Sequence, residues 1–258
     1  MTATTRTPFN WRLFLTLWLA GTIAVLPLIP VTVVLGESGV AAHRLSWQTA
    51  TETVLLAAIV IFSAAIYVGL RSGARVGLGA PLTEAWLAGK PAVDAAARLV
   101  RGAGAGGALG LVGVIVAMAI AGGTVSPAMP GDDVVPLWVG VAQATSAGVG
   151  EELLFRLGLM SLMVAFVWRA LPSGDESPSN TVMWIALALT AALFTMVHGA
   201  PAGEVGGAGQ LVTEPMQLVR LLGGGLFGWL FWKQGLEAAM AAHFAYDMVL
   251  FYGIIAVL

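Results

Sequence analysis

The sequence predicts an all-α protein, a polytopic bundle of about seven transmembrane helices with interfacial helices. Three observations predict it. Hydrophobic residues fill 58% of the 258 positions and charged residues only 10%, and mean hydropathy is +0.88. A soluble domain carries about a quarter charged residues. A chain of this composition can fill a core, but it cannot also cover its outside with polar groups. Apolar runs of the roughly 20 residues needed to cross the hydrocarbon layer recur along the chain.

Seven such runs follow one another, at 13–35, 53–70, 105–124, 136–171, 182–198, 216–232 and 236–258. The first contains Pro27 and Pro30, which membrane helices tolerate because neighbours re-satisfy the freed backbone groups. The fourth is long enough to be one tilted or kinked helix. Between the second and third, residues 71–101 hold most of the basic side chains with Leu82, Trp86, Leu99 and Val100 among them, the pattern of short interfacial helices. Pro81 and Pro91 should break that segment. Turns are expected at Gly131 and Ser173.

Arg6 and Arg12 precede the first apolar run as in a secretory signal. The run is too long for a signal core and no Ala-x-Ala follows it, so a retained helix is expected. Lys and Arg favour the cytoplasmic side. With the N-terminus inside, that side collects Arg6, Arg12, Arg71, Arg75, Lys90, Arg98, Arg101, Arg169 and Lys233. The outer side keeps Arg44 and Arg220, with Asp132 and Asp133. The expectation is a multi-pass protein of the cell membrane with a cytoplasmic N-terminus. The net charge of -2 offers nothing to nucleic acid, and the lack of cysteine excludes disulfides and thiolate chemistry.

Ionisable residues at bilayer depth are the chemical signal. Each costs about 2.5 to 3.5 kcal/mol on insertion scales. With Glu52 and Glu237 set aside at segment ends, the buried candidates are Glu151, Glu152, Arg156, His198, His243 and Asp247, on three helices. Residues four apart share a helical face, while neighbours diverge by about 100°. Glu152 and Arg156 therefore read as a structural ion pair, and Glu151 as a carboxylate facing elsewhere. His243 and Asp247 share a face. A carboxylate and imidazoles can activate water for hydrolysis and stabilise the resulting oxyanion. The same Glu151, His198, His243 and Asp247 could instead hold a divalent metal such as zinc. His43 reads as an ordinary loop residue. Gly223, Gly224, Gly225 and Gly228 read as a close-packing surface, with a hinge for lateral substrate access as the alternative. The nine Trp are interfacial anchors or lipid-facing bulk.

The run Glu151-Glu152-Leu-Leu-Phe-Arg156, then Phe194-Thr-Met-Val-His198, then His243-Phe-Ala-Tyr-Asp247 resembles the CPBP family of intramembrane proteases. That family includes the CAAX prenyl endopeptidases and the Abi-type and bacteriocin-immunity proteins. The resemblance covers roughly 143–250. It implies that Glu151 and His198 activate water and that His243 and the residue four later stabilise the oxyanion. It leaves Glu152, Arg156 and Phe194 in supporting roles. Members are described both as metalloproteases and as metal-free glutamate proteases. The last motif position is commonly Asn in the CAAX-processing branch and is Asp247 here. An ionised aspartate would repel an oxyanion, so Asp247 must be protonated, orient His243 or bind a metal.

Two parts are expected, an N-terminal set of helices at 1–135 and a catalytic core at 136–258. The partners implied are the lipid bilayer and a peptide or protein substrate reaching the site from the membrane or its interface. His-Glu-x-x-His and Gly-x-Ser-x-Gly are absent, and Tyr246-Asp247 lacks a second membrane aspartate. Two alternatives stand beside the protease. One is a catalytically silent scaffold or immunity protein of the same fold. The other is a proton-coupled transporter, which calls for inverted repeats the sequence does not display.

Overall fold

The computed structural model describes residues 9–37, 46–92, 94–120, 136–171, 177–199 and 214–257, and every regular element among them is helical. Helix α1 (Trp11–Val25) starts at Asn10, whose side chain accepts from the Leu13 N–H. The chain turns at Leu26 and Pro27 into α2 (Leu28–Glu37), because a proline inside a helix removes one backbone bond and clashes with the preceding turn. Helix α3 (Trp47–Leu56), capped by Ser46, continues through a π-wound turn (Ala57–Phe62) into α4 (Ser63–Val76). Gly77 ends that run at φ 75, the left-handed conformation glycine adopts without penalty. Then come α5 (Pro81–Leu87) and α6 (Ala95–Ile120). Helix α7 (Leu137–Ser146), a π-wound stretch (Ala147–Met160) and α8 (Ser161–Ala170) form one continuous rod. Helices α9 (Asn180–Gly199), α10 (Glu214–Gln234) and α11 (Leu236–Val257) complete the bundle.

Five helical stretches are long and apolar enough to cross a membrane: Trp11–Leu35, Trp47–Val76, Ala95–Ile120, Leu137–Ala170 and Asn180–His198. The protein is an all-α membrane bundle. Helices α10 and α11 stand beside these five in the bundle. Helix α10 carries Glu214, Arg220 and Lys233, and α11 carries Glu237, His243 and Asp247. The polar side chains that mark these helices also lower their apolar character.

The basic segment 71–101 is corrected. Arg71 and Arg75 belong to the last turns of α4, and Arg98 and Arg101 to the first turns of α6. Only α5 remains as a short helix between them. The segment is interrupted beside both prolines, between α4 and α5 and between α5 and α6, and Pro81 opens α5, because the first helical position needs no N–H donor. The third span begins at Ala95, earlier than expected. Arg6, His43, Arg44, Gly131, Asp132, Asp133 and Ser173 lie outside the described residues.

Glycine sets how closely the helices approach. Gly102, Gly106, Gly110 and Gly113 are buried along one face of α6. A Cβ at Gly102 or Gly106 would collide with the backbone carbonyl of Ala238 or Ala242, and one at Gly110 would lie 2.7 Å from the Tyr246 oxygen. The backbone of α11 thus rests directly on α6, the small-xxx-small solution for helices in lipid. That contact fixes the rotation of α11. With Ala238, Ala242 and Tyr246 against α6, His243 and Asp247 turn toward the rod Leu137–Ala170. The α10 cluster packs in the same way at two positions. A Cβ at Gly224 would lie 3.0 Å from Ala191 Cα and one at Gly228 3.2 Å from Leu187 Cγ, whereas Gly225 faces open space.

Candidate active site

The π-wound stretch runs through the middle of the bundle, with Leu153, Leu157 and Met160 fully buried around it. A π-helix closes i→i+5 hydrogen bonds, so its turn is wider and adjacent residues diverge less than in an α-helix. Glu151 faces the cavity and Glu152 the sealed interior, yet both approach one imidazole. Glu152 Oε1 lies 2.8 Å from His243 Nδ1, and Glu151 Oε2 lies 3.9 Å from His243 Nε2. Two neighbouring carboxylates reach opposite nitrogens of one ring.

His198 arrives from the end of α9. Its Nδ1 is 2.8 Å from the Phe194 carbonyl oxygen. A carbonyl can only accept, so Nδ1 carries the proton and Nε2 faces Glu151, 3.4 Å from Oε1 and 3.3 Å from Oε2. His243 is fixed by the same logic. Glu152, paired with Arg156, accepts from His243 Nδ1–H, which leaves Nε2 toward Glu151 and toward Asp247 Oδ2 at 3.5 Å. Both imidazoles thus turn Nε2 to the same place.

Burial divides the cluster into two groups. Glu151, His198 and Asp247 keep 29%, 30% and 26% of their side-chain surface accessible. Glu152, Arg156 and His243 are sealed. The accessible three line a cavity of about 200 Å³ together with His243, Arg220, Phe194, Phe227 and Tyr246. Arg220, grouped with the outer loops from its sequence position, sits on α10 and lines this cavity.

Arg156 lies beneath the cavity. Its Nε is 3.2 Å from Glu152 Oε2, and one of its terminal nitrogens donates to the Gly224 carbonyl at 3.4 Å. The guanidinium carbon also sits 4.8 Å from the Phe194 ring centroid and 5.5 Å from that of Phe227, placing the cation against two aromatic faces. Phe227 then stacks on His243, with centroids 4.6 Å apart and planes inclined by 20°. Phe194 lies 4.4 Å from His198 by the same measure.

Among the described residues, no group of three or more His, Cys, Asp and Glu side chains is arranged to hold a metal ion. The ligand set Glu151, His198, His243 and Asp247 considered from the sequence is thus not formed as a metal cage. The four side chains share the cavity, with the separations given above.

Residues 133–249 match the family model described as type II CAAX prenyl endopeptidase Rce1-like. This segment is a CPBP-family intramembrane protease domain. No curated protein and no solved structure matches the chain. The matched stretch takes in the rod Leu137–Ala170, α9, α10 and most of α11. Every ionisable residue of the cavity, Arg220 included, falls within the CPBP domain.

Sequence reasoning did not single out Phe227, Tyr246 or Arg220 as neighbours of the cluster. A signal was present for two of them. Arg220, Gly223 and Phe227 are spaced three and four residues apart, which puts them on one face of α10. Tyr246 carried no such signal, because its contact with Phe227, at 5.9 Å between centroids, joins two helices.

Proposed function

We propose that the CPBP domain hydrolyses peptide bonds with a water activated by Glu151 and His198, without a metal, and that residues 136–258 form the catalytic core. The observation that carries this reading is the meeting of one carboxylate and two imidazole Nε2 atoms at a single cavity, 3.3 and 3.9 Å from Glu151 Oε2. Glu151 Oε2 is buried and makes no aligned hydrogen bond among the described residues, so it is oriented to accept from a water in the cavity.

The chemistry follows from these positions. Glu151 takes one proton from water as the oxygen attacks the scissile carbonyl carbon. His198, held by the Phe194 carbonyl, presents Nε2 to the same water and can share its proton with Glu151. The carbonyl π electrons move to oxygen, and the protonated His243 donates Nε2–H to that oxyanion. Asp247, beside the same nitrogen, orients and balances His243. Collapse of the tetrahedral species breaks the C–N bond. The proton held by Glu151 passes to the leaving nitrogen, giving a carboxylic acid and an amine.

The substrate is a peptide or protein segment that reaches the cavity from the bilayer or its interface. A prenylated C-terminus, of the kind named for the matched family, is the first class to test. The distribution of its basic residues supports a location in the cell membrane with a cytoplasmic N-terminus. The full chain in lipid nanodiscs, given quenched peptides with and without a prenyl group, tests the reading. Wild type should cleave at least one, and Glu151→Gln should be about 10² to 10⁴-fold slower, the usual contribution of a general base. Equal cleavage by wild type, Glu151→Gln and His198→Ala would refute it.

A further inference from the structure

Glu152 is the residue whose position departs furthest from its reading as a simple ion-pair partner. It is fully buried, and its carboxylate oxygens face different groups. Oε1 accepts from His243 Nδ1–H at 2.8 Å. Oε2 lies 3.2 Å from Arg156 Nε, yet neither of those two atoms makes an aligned hydrogen bond among the described residues. The directed bond of Glu152 is to the imidazole, and Arg156 contributes charge rather than alignment.

We propose that Glu152 is a positioning residue, which locks His243 in its Nδ1–H form and thereby decides what Nε2 can do in the cavity. The assignment rests on the hydrolytic reading above and deepens it. A neutral imidazole holds one proton, and Glu152 takes that proton's hydrogen bond at Nδ1. Neutral His243 can then only accept at Nε2, and the ring donates to an oxyanion only after a second proton arrives there. Glu152 favours that second proton, because its charge lies directly against the ring in a site closed to solvent. Phe227, stacked at 4.6 Å, prevents the ring from tipping away. Arg156 sets an opposite charge 3.2 Å from the sealed carboxylate, the partner a buried charge requires. Arg156, Glu152 and His243 form a relay in which the last member alone faces the cavity.

The chain's three histidines make this directly readable. Full-length protein labelled with ¹⁵N-histidine, with His43→Gln and His198→Gln for assignment, reports which ring nitrogen of His243 is protonated. The wild type should give Nδ1–H for the neutral ring. In Glu152→Gln the amide NH₂ can donate to Nδ1, so the neutral ring should switch to Nε2–H. In the hydrolysis assay Glu152→Gln leaves a neutral Nε2–H donor where the charged ring stood, so kcat should fall by about tenfold to 10²-fold, less than outright removal of an oxyanion donor, with KM changed by less than about threefold. Glu152→Asp keeps the charge and should recover part of kcat and the Nδ1–H signature. An unchanged His243 tautomer in Glu152→Gln overturns the proposal, as does a loss of activity that Glu152→Asp shares in full while its spectrum stays wild-type. An active Glu151→Gln would instead remove the water-activation reading and leave the tautomer result standing.

Discussion

Gly110→Ala tests whether the contact between α6 and α11 sets the geometry of the cavity. The added Cβ would lie 2.7 Å from the Tyr246 backbone oxygen, where ordinary contact begins at 3.4 Å. A carbonyl oxygen cannot rotate aside, so the two helices must shift by about 0.7 Å, the difference between those distances. Tyr246 is three residues from His243 on the same rigid helix. Taken up at His243, such a shift moves the ring sideways against Glu152 and misaligns their 2.8 Å bond. A misplacement of about 1 Å costs roughly 10²-fold in rate. Overpacking costs about 1–3 kcal/mol, offset by about 0.5–1 kcal/mol of helix preference for alanine. Gly104→Ala is the control, because nothing lies within 4 Å of its Cβ. Peptide hydrolysis and thermal unfolding in nanodiscs should separate the two. Gly110→Ala should be slower by about 10²-fold, and Gly104→Ala fully active and slightly more stable. If both retain wild-type kcat, α6 packing does not control the site.

Three further outcomes are expected. Asp247→Asn removes a charge 3.5 Å from His243 Nε2 and puts an amide N–H in reach of the same oxyanion, so kcat should stay within about tenfold of wild type; a loss as deep as that of Glu151→Gln would give Asp247 an essential charge. Exhaustive chelation should leave hydrolysis unchanged and metal content well below one ion per chain, and restoration of a lost rate by zinc would refute the metal-free reading. Outside the membrane, burial, opposed by the Ala80 N–H and aided by the nearby Glu237, holds the Glu84 carboxyl above its ordinary range. A raised acid group contributes stability that is complete below its unfolded value and is lost as pH rises through the folded one. Helix α5 is also tied to α11, since Glu237 accepts from Thr83 N and Oγ1, each at 2.7 Å. Amide exchange of α5, corrected for intrinsic rate, should therefore lose protection as pH climbs above the ordinary carboxylate range, and Glu84→Gln should flatten that slope.

The fold class was legible because it rests on composition. A chain with 10% charged residues cannot cover a soluble surface, and the length of each apolar run follows from the thickness of the bilayer. Helix ends were less legible. The basic stretch 71–101 looked interfacial, yet α4 and α6 carry most of it as their own ends. A long side chain at a span's end can reach the polar headgroups, so Arg and Lys there mark the interface without ending the helix. The glycines of α6 were in plain view, but their role depends on which backbone faces them.

By itself, the sequence determined that Glu151, Glu152, Arg156, His198, His243 and Asp247 are ionisable residues in apolar surroundings. Each carries a cost that demands a partner, and local spacing paired Glu152 with Arg156 on one helix. Only the tertiary structure decided that Glu152 also faces His243 and that Arg220 lines the cavity. Those relations join separate helices through a π-wound turn and a glycine contact. Periodicity within one helix carries no information about the rotation of its neighbour.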